Sequence, residues 1–307
     1  MILCAGEALI DMLPRETRAG EAAFMPAVGG AVFNTAIALA RLGAPTGLFT
    51  GLSRDLFGAR LKAALDADGV DARLSNRSDR PTTLAFVELE DGQARYAFYD
   101  ENTAGRMLTE ADLPDLPDRV EALFLGGISL AVEPCARAYE ALMLREAQAR
   151  VTMLDPNIRP GFIADEAGYR ARIARMIAAA DILKLSDEDL HWLEGPGERG
   201  DLARGLLARG PRLVLLTEGA AGARGFGPGL EVSVPAPPAR VVDTVGAGDT
   251  FNAGVLAALA GSGRLSKPAL AAIDAETLEA ALTLGVRAAA VTVARAGANP
   301  PFAAEIS

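Results

Sequence analysis

The chain has 307 residues, half of them hydrophobic and few aromatic, with a formal net charge of −10. That length accommodates one large α/β domain or two small ones, and the negative balance argues against nucleic acid or an anionic membrane as a partner. Two cysteines (Cys4, Cys135) and one histidine (His191) give no disulfide framework and no zinc or His-based cluster. Met1-Ile2-Leu3-Cys4 has no basic leader region, its apolar run breaks at Glu7 and Asp11, and no run reaches the length of a membrane span. The expected compartment is the cytoplasm.

In chain order, residues 2–5 read as a short apolar strand, followed by Glu7 and Asp11 near its end. On pattern alone these carboxylates belong either to a solvated loop or to a site for hydroxyl groups. Val28-Gly29-Gly30-Ala31-Val32-Phe33-Asn34 is a glycine turn entering a helix over 34–42, which Gly43 ends. A second helix is expected over 57–68, ending at Gly69. Residues 81–89 alternate as a strand, Asp91-Gly92 is a hairpin signal, and 94–99 form the return strand. A hairpin between α/β segments is an insertion, and an ordinary surface hairpin is its plain reading. Residues 122–127 are a fully apolar strand ending in glycine, as in a buried parallel sheet, and 134–150 read as helix.

Val151 to Asp155 is a strand, followed by the Pro-bounded loop Pro156-Asn157-Ile158-Arg159-Pro160. Residues 182–190 read as strand then helix, with Ser186 as the cap. Gly195-Pro196-Gly197-Glu198-Arg199-Gly200 matches G-x-G-x-x-G formally, but it follows a helix and contains proline, so it reads as a loop. No G-x-x-x-x-G-K-[ST] motif is present. A buried strand, 213–217, enters a glycine turn at Gly219 and Gly222, and a hairpin follows over 223–234. Residues 278–295 read as a helix and a strand-like run before Gly297-Ala298-Asn299-Pro300-Pro301.

The most informative stretch is Val241-Val242-Asp243-Thr244-Val245-Gly246-Ala247-Gly248-Asp249-Thr250-Phe251-Asn252-Ala253-Gly254. It reads as a β-branched strand, a glycine turn and a helix over 250–260. A helix start offers unpaired N–H groups and a positive dipole, which bind anions. Asp249 in that turn is either an ordinary N-cap or a general base facing a phosphoryl group.

This stretch resembles the C-terminal signature of the ribokinase-like (PfkB-type) sugar kinases, and Gly29-Gly30 with Asn34 resembles their N-terminal signature. The resemblance implies a doubly wound α/β fold over 1–307, with a mostly parallel sheet, helices on both faces and a small β lid from about 8–28 and 81–106. It implies an ATP-dependent, Mg²⁺-requiring sugar kinase with Asp249 as base and the amides of Gly246, Ala247, Gly248 and Asp249 around the anion. Asp11, Gly29, Gly30 and Asn34 would hold the sugar, with Phe98, Asn102 and Arg106 on the lid side. Asn157, Lys184, Ser186, Thr217, Gly219 and Gly222 would face ATP, and Arg159 would offer a fork to phosphate or a sugar oxygen.

Where the family usually has Glu for placing Mg²⁺ through water, this chain has Asp189, which keeps the charge but shortens the reach; Glu188 is the neighbouring alternative. Asp243 and the Val245 carbonyl are either a monovalent-cation site, for K⁺, or a turn fixed by hydrogen bonds. Asp155-Pro156-Asn157 and Arg159 fit the fructokinase and ketodeoxygluconate-kinase branches, and the Gly-Ala-Asn-Pro-Pro tail resembles bacterial fructokinases, so fructose is the expected substrate. A sugar-binding regulator on the same fold is the reading from a different class. A homodimer through the lid is the expected assembly.

Overall fold

A computed structural model describes residues 1–90 and 93–306. The Asp91-Gly92 turn expected above lies outside the described residues. In chain order the elements are β1 (Ile2–Ala5), β2 (Leu9–Glu16), β3 (Ala22–Gly29), α1 (Ala31–Arg41), β4 (Thr46–Phe49), β5 (Gly51–Ser53), α2 (Leu56–Ala67), β6 (Asn76–Ser78), β7 (Leu84–Glu90) and β8 (Gln93–Tyr99). The chain continues through β9 (Ala122–Gly126), α3 (Cys135–Glu146), β10 (Val151–Asp155), α4 (Glu166–Ala179), β11 (Ile182–Ser186), α5 (Asp187–Glu194), α6 (Arg199–Leu207) and β12 (Leu213–Thr217). It ends with β13 (Ala223–Gly227), β14 (Leu230–Val234), α7 (Ala247–Gly261), α8 (Lys267–Ala271) and α9 (Ala275–Val293).

The main sheet runs β14-β13-β12-β11-β10-β9-β1-β4. From β12 to β4 the pairs are parallel, and β13 and β14 add an antiparallel edge. Its parallel strands are mostly apolar because helices cover both faces, with Thr152, Asp155 and Lys184 among the buried polar exceptions. Alternate side chains separate to those faces. Ile2, Cys4 and Phe124 join the core under α1, α7 and α9, while Leu3, Ala5 and Leu125 join the one under α3 and α4. This is the doubly wound arrangement that the sequence implied.

A second sheet, β3-β2-β7-β8, stands apart from the first. In it the β2–β3 hairpin pairs parallel with β7 through Ile10, Asp11 and Met12, and β8 returns antiparallel to β7. Cys4 and Cys135 are both buried and free, as small apolar residues would be. Among the described residues no helix is long and apolar enough to cross a membrane.

Three local expectations are corrected. Val241 and Val242 are not a strand; they are 63% and 56% exposed in an irregular segment after Pro235, Pro237 and Pro238. Those prolines supply no N–H to a ladder, and Val242 and Asp243 instead donate to the Val293 carbonyl. The strand-like run near 290 is helix: α9 continues to Val293, with Val286, Ala288 and Thr292 buried on its inner face. Helices α1 and α7 also start three residues earlier than the expected 34 and 250, each directly after a positive-φ glycine, Gly30 or Gly246.

Helix α7 is apolar around most of its circumference, as a buried helix is. It meets α9 at a glycine pair: a Cβ on Gly254 would sit 2.6 Å from the Gly285 Cα. Gly254→Ala is therefore expected to destabilise the protein by about 1–2 kcal/mol, overpacking outweighing the gain in helix propensity. Gly261→Ala, at an open position on the same helix, serves as the control and should be neutral or stabilising. Urea denaturation checks both, and equal midpoints for the two variants would contradict the packing argument.

Candidate active site

One cavity of about 920 Å³ opens over the C-terminal ends of the parallel strands, where open α/β sheets bind ligands. Its floor is the start of α7. Gly246 is the N-cap in the left-handed region (φ 79°) and Asp249 is the third helical residue. So Asp249 is not the cap, and its carboxylate is free for other work. The Ala247 N–H donates to the Thr244 carbonyl at 3.3 Å, and Thr250 makes the first helical bond, to Gly246, at 2.9 Å. Between them, the amides of Gly248 and Asp249 have no acceptor within the helix and face the cavity lining.

Asp249 is 8% exposed. Asn34 Nδ2 donates to its Oδ2 at 2.9 Å and the Thr35 hydroxyl donates to its main-chain oxygen at 3.3 Å, tying α1 to α7. Burial pushes the Asp249 carboxyl up to about 7; the Asn34 bond opposes this, and Asp155 adds to it. A carboxylate this basic can accept a proton near neutrality.

Most of the residues expected to hold the sugar lie beside it. Asp11, from the β2–β3 hairpin, lines the cavity and is raised to about 6 by burial. Gly29, opposite Leu9 in the hairpin, leaves it room: a Cβ there would lie 2.1 Å from Asp11 Oδ2. Gly30 (φ 106°) passes close to the Glu7 carbonyl. The Glu7 side chain is buried, accepting from Ala31 N–H at 3.0 Å and Ser129 N–H at 3.3 Å, and burial raises its pKa. Phe98 reaches the cavity from β8 and packs edge-on against Phe162.

Asn102 and Arg106 are not among the residues that line this cavity. The chain turns away after β8, with Asn102 at φ 59°. Its Oδ1 accepts from Arg80, and the Arg106 guanidinium is held by Asp100 at 2.8 Å and the Glu133 carbonyl at 3.1 Å.

At the other end of the cavity, Asn157, Arg159, Lys184, Ser186, Thr217, Gly219 and Gly222 all contribute to the lining. Arg159 is exposed and its guanidinium donates to the Ile158 carbonyl at 3.0 Å. Gly222 (φ 106°) has no room for a Cβ, which would lie 2.1 Å from the Val234 carbonyl. Pro237, Pro238, Ala289 and Val293 make an apolar wall. Ser186 caps α5 in a capping box with Asp189. Asp189 accepts from the N–H groups of Ile158 at 2.9 Å and Ser186 at 3.3 Å, so both its oxygens serve the main chain. Glu188 beside it is exposed on the lining. Among the described residues, no three His, Cys, Asp or Glu side chains converge as a metal cage. Asp243 accepts from Val245 N–H at 3.0 Å and Gly297 N–H at 2.8 Å, bonds that fix the turn and leave each carboxylate oxygen a further lone pair.

The sequence reading gave no task to Asp155 or Asn252, which are buried beneath this floor and joined by a hydrogen bond of 2.7 Å. The polar Asn252 within a buried helix was the available signal.

The raised Asp249 pKa has a stability consequence. Unfolded, an aspartate titrates near 3.9; folded, Asp249 titrates near 7. Between these values the folded state holds more protons, so stability falls as pH rises, by up to about 4 kcal/mol. Asp249→Asn is expected to be more stable than the parent at pH 8, with the gap reduced to less than half at pH 5. Urea denaturation at the two pH values measures it, and a gap independent of pH would refute the linkage.

With the geometry described, relatives can be compared. The pfkB family carbohydrate kinase model matches residues 1–305. A fructokinase of Rhizobium leguminosarum bv. trifolii is 55% identical over 278 residues, covering 91% of this chain and 85% of the relative. The crystal structure of a Xylella fastidiosa fructokinase with bound ATP superposes with a TM-score of 0.90 at 28% identity, covering 99% of this chain and 96% of that one. The aminoimidazole riboside kinase of Salmonella enterica, complexed with aminoimidazole riboside and an ATP analogue, gives 0.85 at 25% identity, covering 99% and 97%. A buried carboxylate raised to about 7 beside first-turn amides without helical acceptors fits these matches, and the matches lead to one conclusion: the chain belongs to the pfkB family of carbohydrate kinases, phosphotransferases that act on a sugar hydroxyl.

Proposed function

We propose that this kinase transfers the γ-phosphoryl group of ATP to fructose, giving fructose 6-phosphate and ADP. The observation that carries the chemistry is the buried, basic Asp249 beside the unpaired first-turn amides of α7. The name of the relative at 55% identity supports fructose.

In this reading Asp11, Asn34 and Gly30 hold the sugar, with its 6-hydroxyl against Asp249. Asp249 takes the hydroxyl proton as the oxygen attacks the γ-phosphorus and the bond to the β-phosphate oxygen breaks. The amides of Gly248 and Asp249 and the Arg159 guanidinium offset charge on the transferring group. The apolar wall of Pro237, Pro238, Ala289 and Val293 suits the adenine. Mg²⁺ is ordinarily held by phosphates and one or two carboxylates; Glu188 is the exposed carboxylate on the lining that fits, through water, and the ion would supply charge neutralisation. Asp243 and the Val245 carbonyl are the residues that would take K⁺. The four-stranded sheet acts as a lid on the sugar, and the cytoplasm is the compartment in which ATP and the sugar meet it.

The first measurement is ADP release with ATP and Mg²⁺ across fructose, ketodeoxygluconate, ribose, aminoimidazole riboside and adenosine. Fructose is expected to be turned over best, and Asp249→Ala to lose about 10²–10⁴-fold in rate. Preferred turnover of another acceptor would replace the substrate; a fully active Asp249→Ala would remove the base assignment. Because the base must be ionised, kcat/KM should rise with pH and level off above about 7. Asn34→Ala should move that limb to higher pH, since the lost bond favoured the charged form.

The lid sheet leaves Phe24, Met25 and Tyr99 exposed, which a second copy would cover. Light scattering is expected to give a dimer, and a monomer at every concentration would overturn that assembly.

A further inference from the structure

Beneath the anion site lie three buried polar side chains from three elements. Asp155 ends β10, Lys184 is in β11, and Asn252 is on α7 one turn after Asp249. They are 2%, 4% and 0% exposed. Asp155 Oδ2 accepts from Lys184 Nζ at 3.0 Å and from Asn252 Nδ2 at 2.7 Å, while its Oδ1 accepts from the Asn157 N–H at 3.2 Å.

Asn252 Oδ1 has no hydrogen-bond partner, an unfavourable state for a buried amide. Turning the amide over would set that oxygen against the Asp155 carboxylate, so its orientation is forced. A leucine would occupy a similar volume without the orphaned oxygen. What asparagine supplies in its place is an N–H to Asp155.

Lys184 carries the effect to the cavity, which it lines. A Cβ on Gly248 would lie 3.2 Å from Lys184 Nζ, so the ammonium sits against the helix turn whose amides are unpaired. Burial disfavours its charge, but Asp155 on β10, Asp189 on α5 and Asp249 on α7 outweigh that and hold its pKa above the ordinary lysine value.

We propose that Asn252 and Asp155 are positioning residues for phosphoryl transfer. Asn252 pins the Asp155 carboxylate, and Asp155 holds the Lys184 ammonium beside the Gly248 and Asp249 amides, where it meets the charge of the transferring group. The inference rests on the kinase reading above and adds residues to it that touch neither sugar nor base.

A double-mutant cycle on the full chain tests it, with Asn252→Leu, Lys184→Met and the pair, each verified as folded by circular dichroism. Asn252→Leu is expected to lower kcat about 10- to 100-fold, as loss of a charge-assisted hydrogen bond would. The fructose KM should stay within about twofold, since the sugar contacts are untouched. In the Lys184→Met background, Asn252→Leu should cost less than about twofold more, because both act through one ammonium. Effects that multiply, or wild-type kcat in Asn252→Leu, would overturn the inference. If Lys184→Met does not fold, Asp155→Asn takes its place with the same criterion. A wild-type protein that turns over no sugar overturns the underlying kinase reading, whereas an active one with multiplying effects overturns this inference alone.

Discussion

A carboxylate buried in the first turn of a buried helix is the constraint around which the molecule is built. The same turn offers amides that attract an anion, and Asp249 would repel it. The conflict is resolved by basicity. Burial raises the Asp249 pKa to about 7, and Asn34 holds its orientation from a second helix. Each proton that the carboxylate accepts lowers its repulsion for the group beside it. The cost is the desolvation of a buried carboxylate, which the apolar burial of the large core around α7 and α9 offsets.

The rest of the fold brings chain segments distant in sequence to that turn. Parallel strands with both faces covered place the ends of β10, β11 and β12 along one edge of the cavity. The hairpin of β2 and β3 adds Asp11 from the second sheet. Glu7 fastens the start of α1 to the loop after β9 through two main-chain N–H groups, so this wall of the cavity is held on one mount. Gly29 and Gly222 recur as points where a side chain would collide with what must be close.

Much of this was readable before any coordinates. Short, mostly apolar runs such as Ala122–Gly126 announced a buried parallel sheet, and the glycine turns announced the helix starts. Val241 and Val242 misled because β-branched residues fit strands, yet no neighbouring strand was there to receive them and three prolines preceded them. Asp249 looked like a cap because capping and catalysis favour the same residue at the same place; only the left-handed Gly246 separates them. Asn102 and Arg106 were placed by their distance along the chain, whereas a turn after β8 decides where they point. Asp155 and Asn252 lie 97 residues apart, and no local pattern encodes such a pairing.

The protein carries a net charge of −10 and still has to attract a polyanion. In the proposed mechanism it does so with main-chain N–H groups, the Arg159 guanidinium and one sequestered ammonium, Lys184, rather than with a surface field of lysines. Mobile ions screen exposed charges within about 10 Å at ordinary salt, but they reach buried dipoles far less. Attraction of this kind acts at contact and persists across ionic strengths that would erase a basic patch. The acidic exterior can then limit non-specific association without opposing the attraction for phosphate.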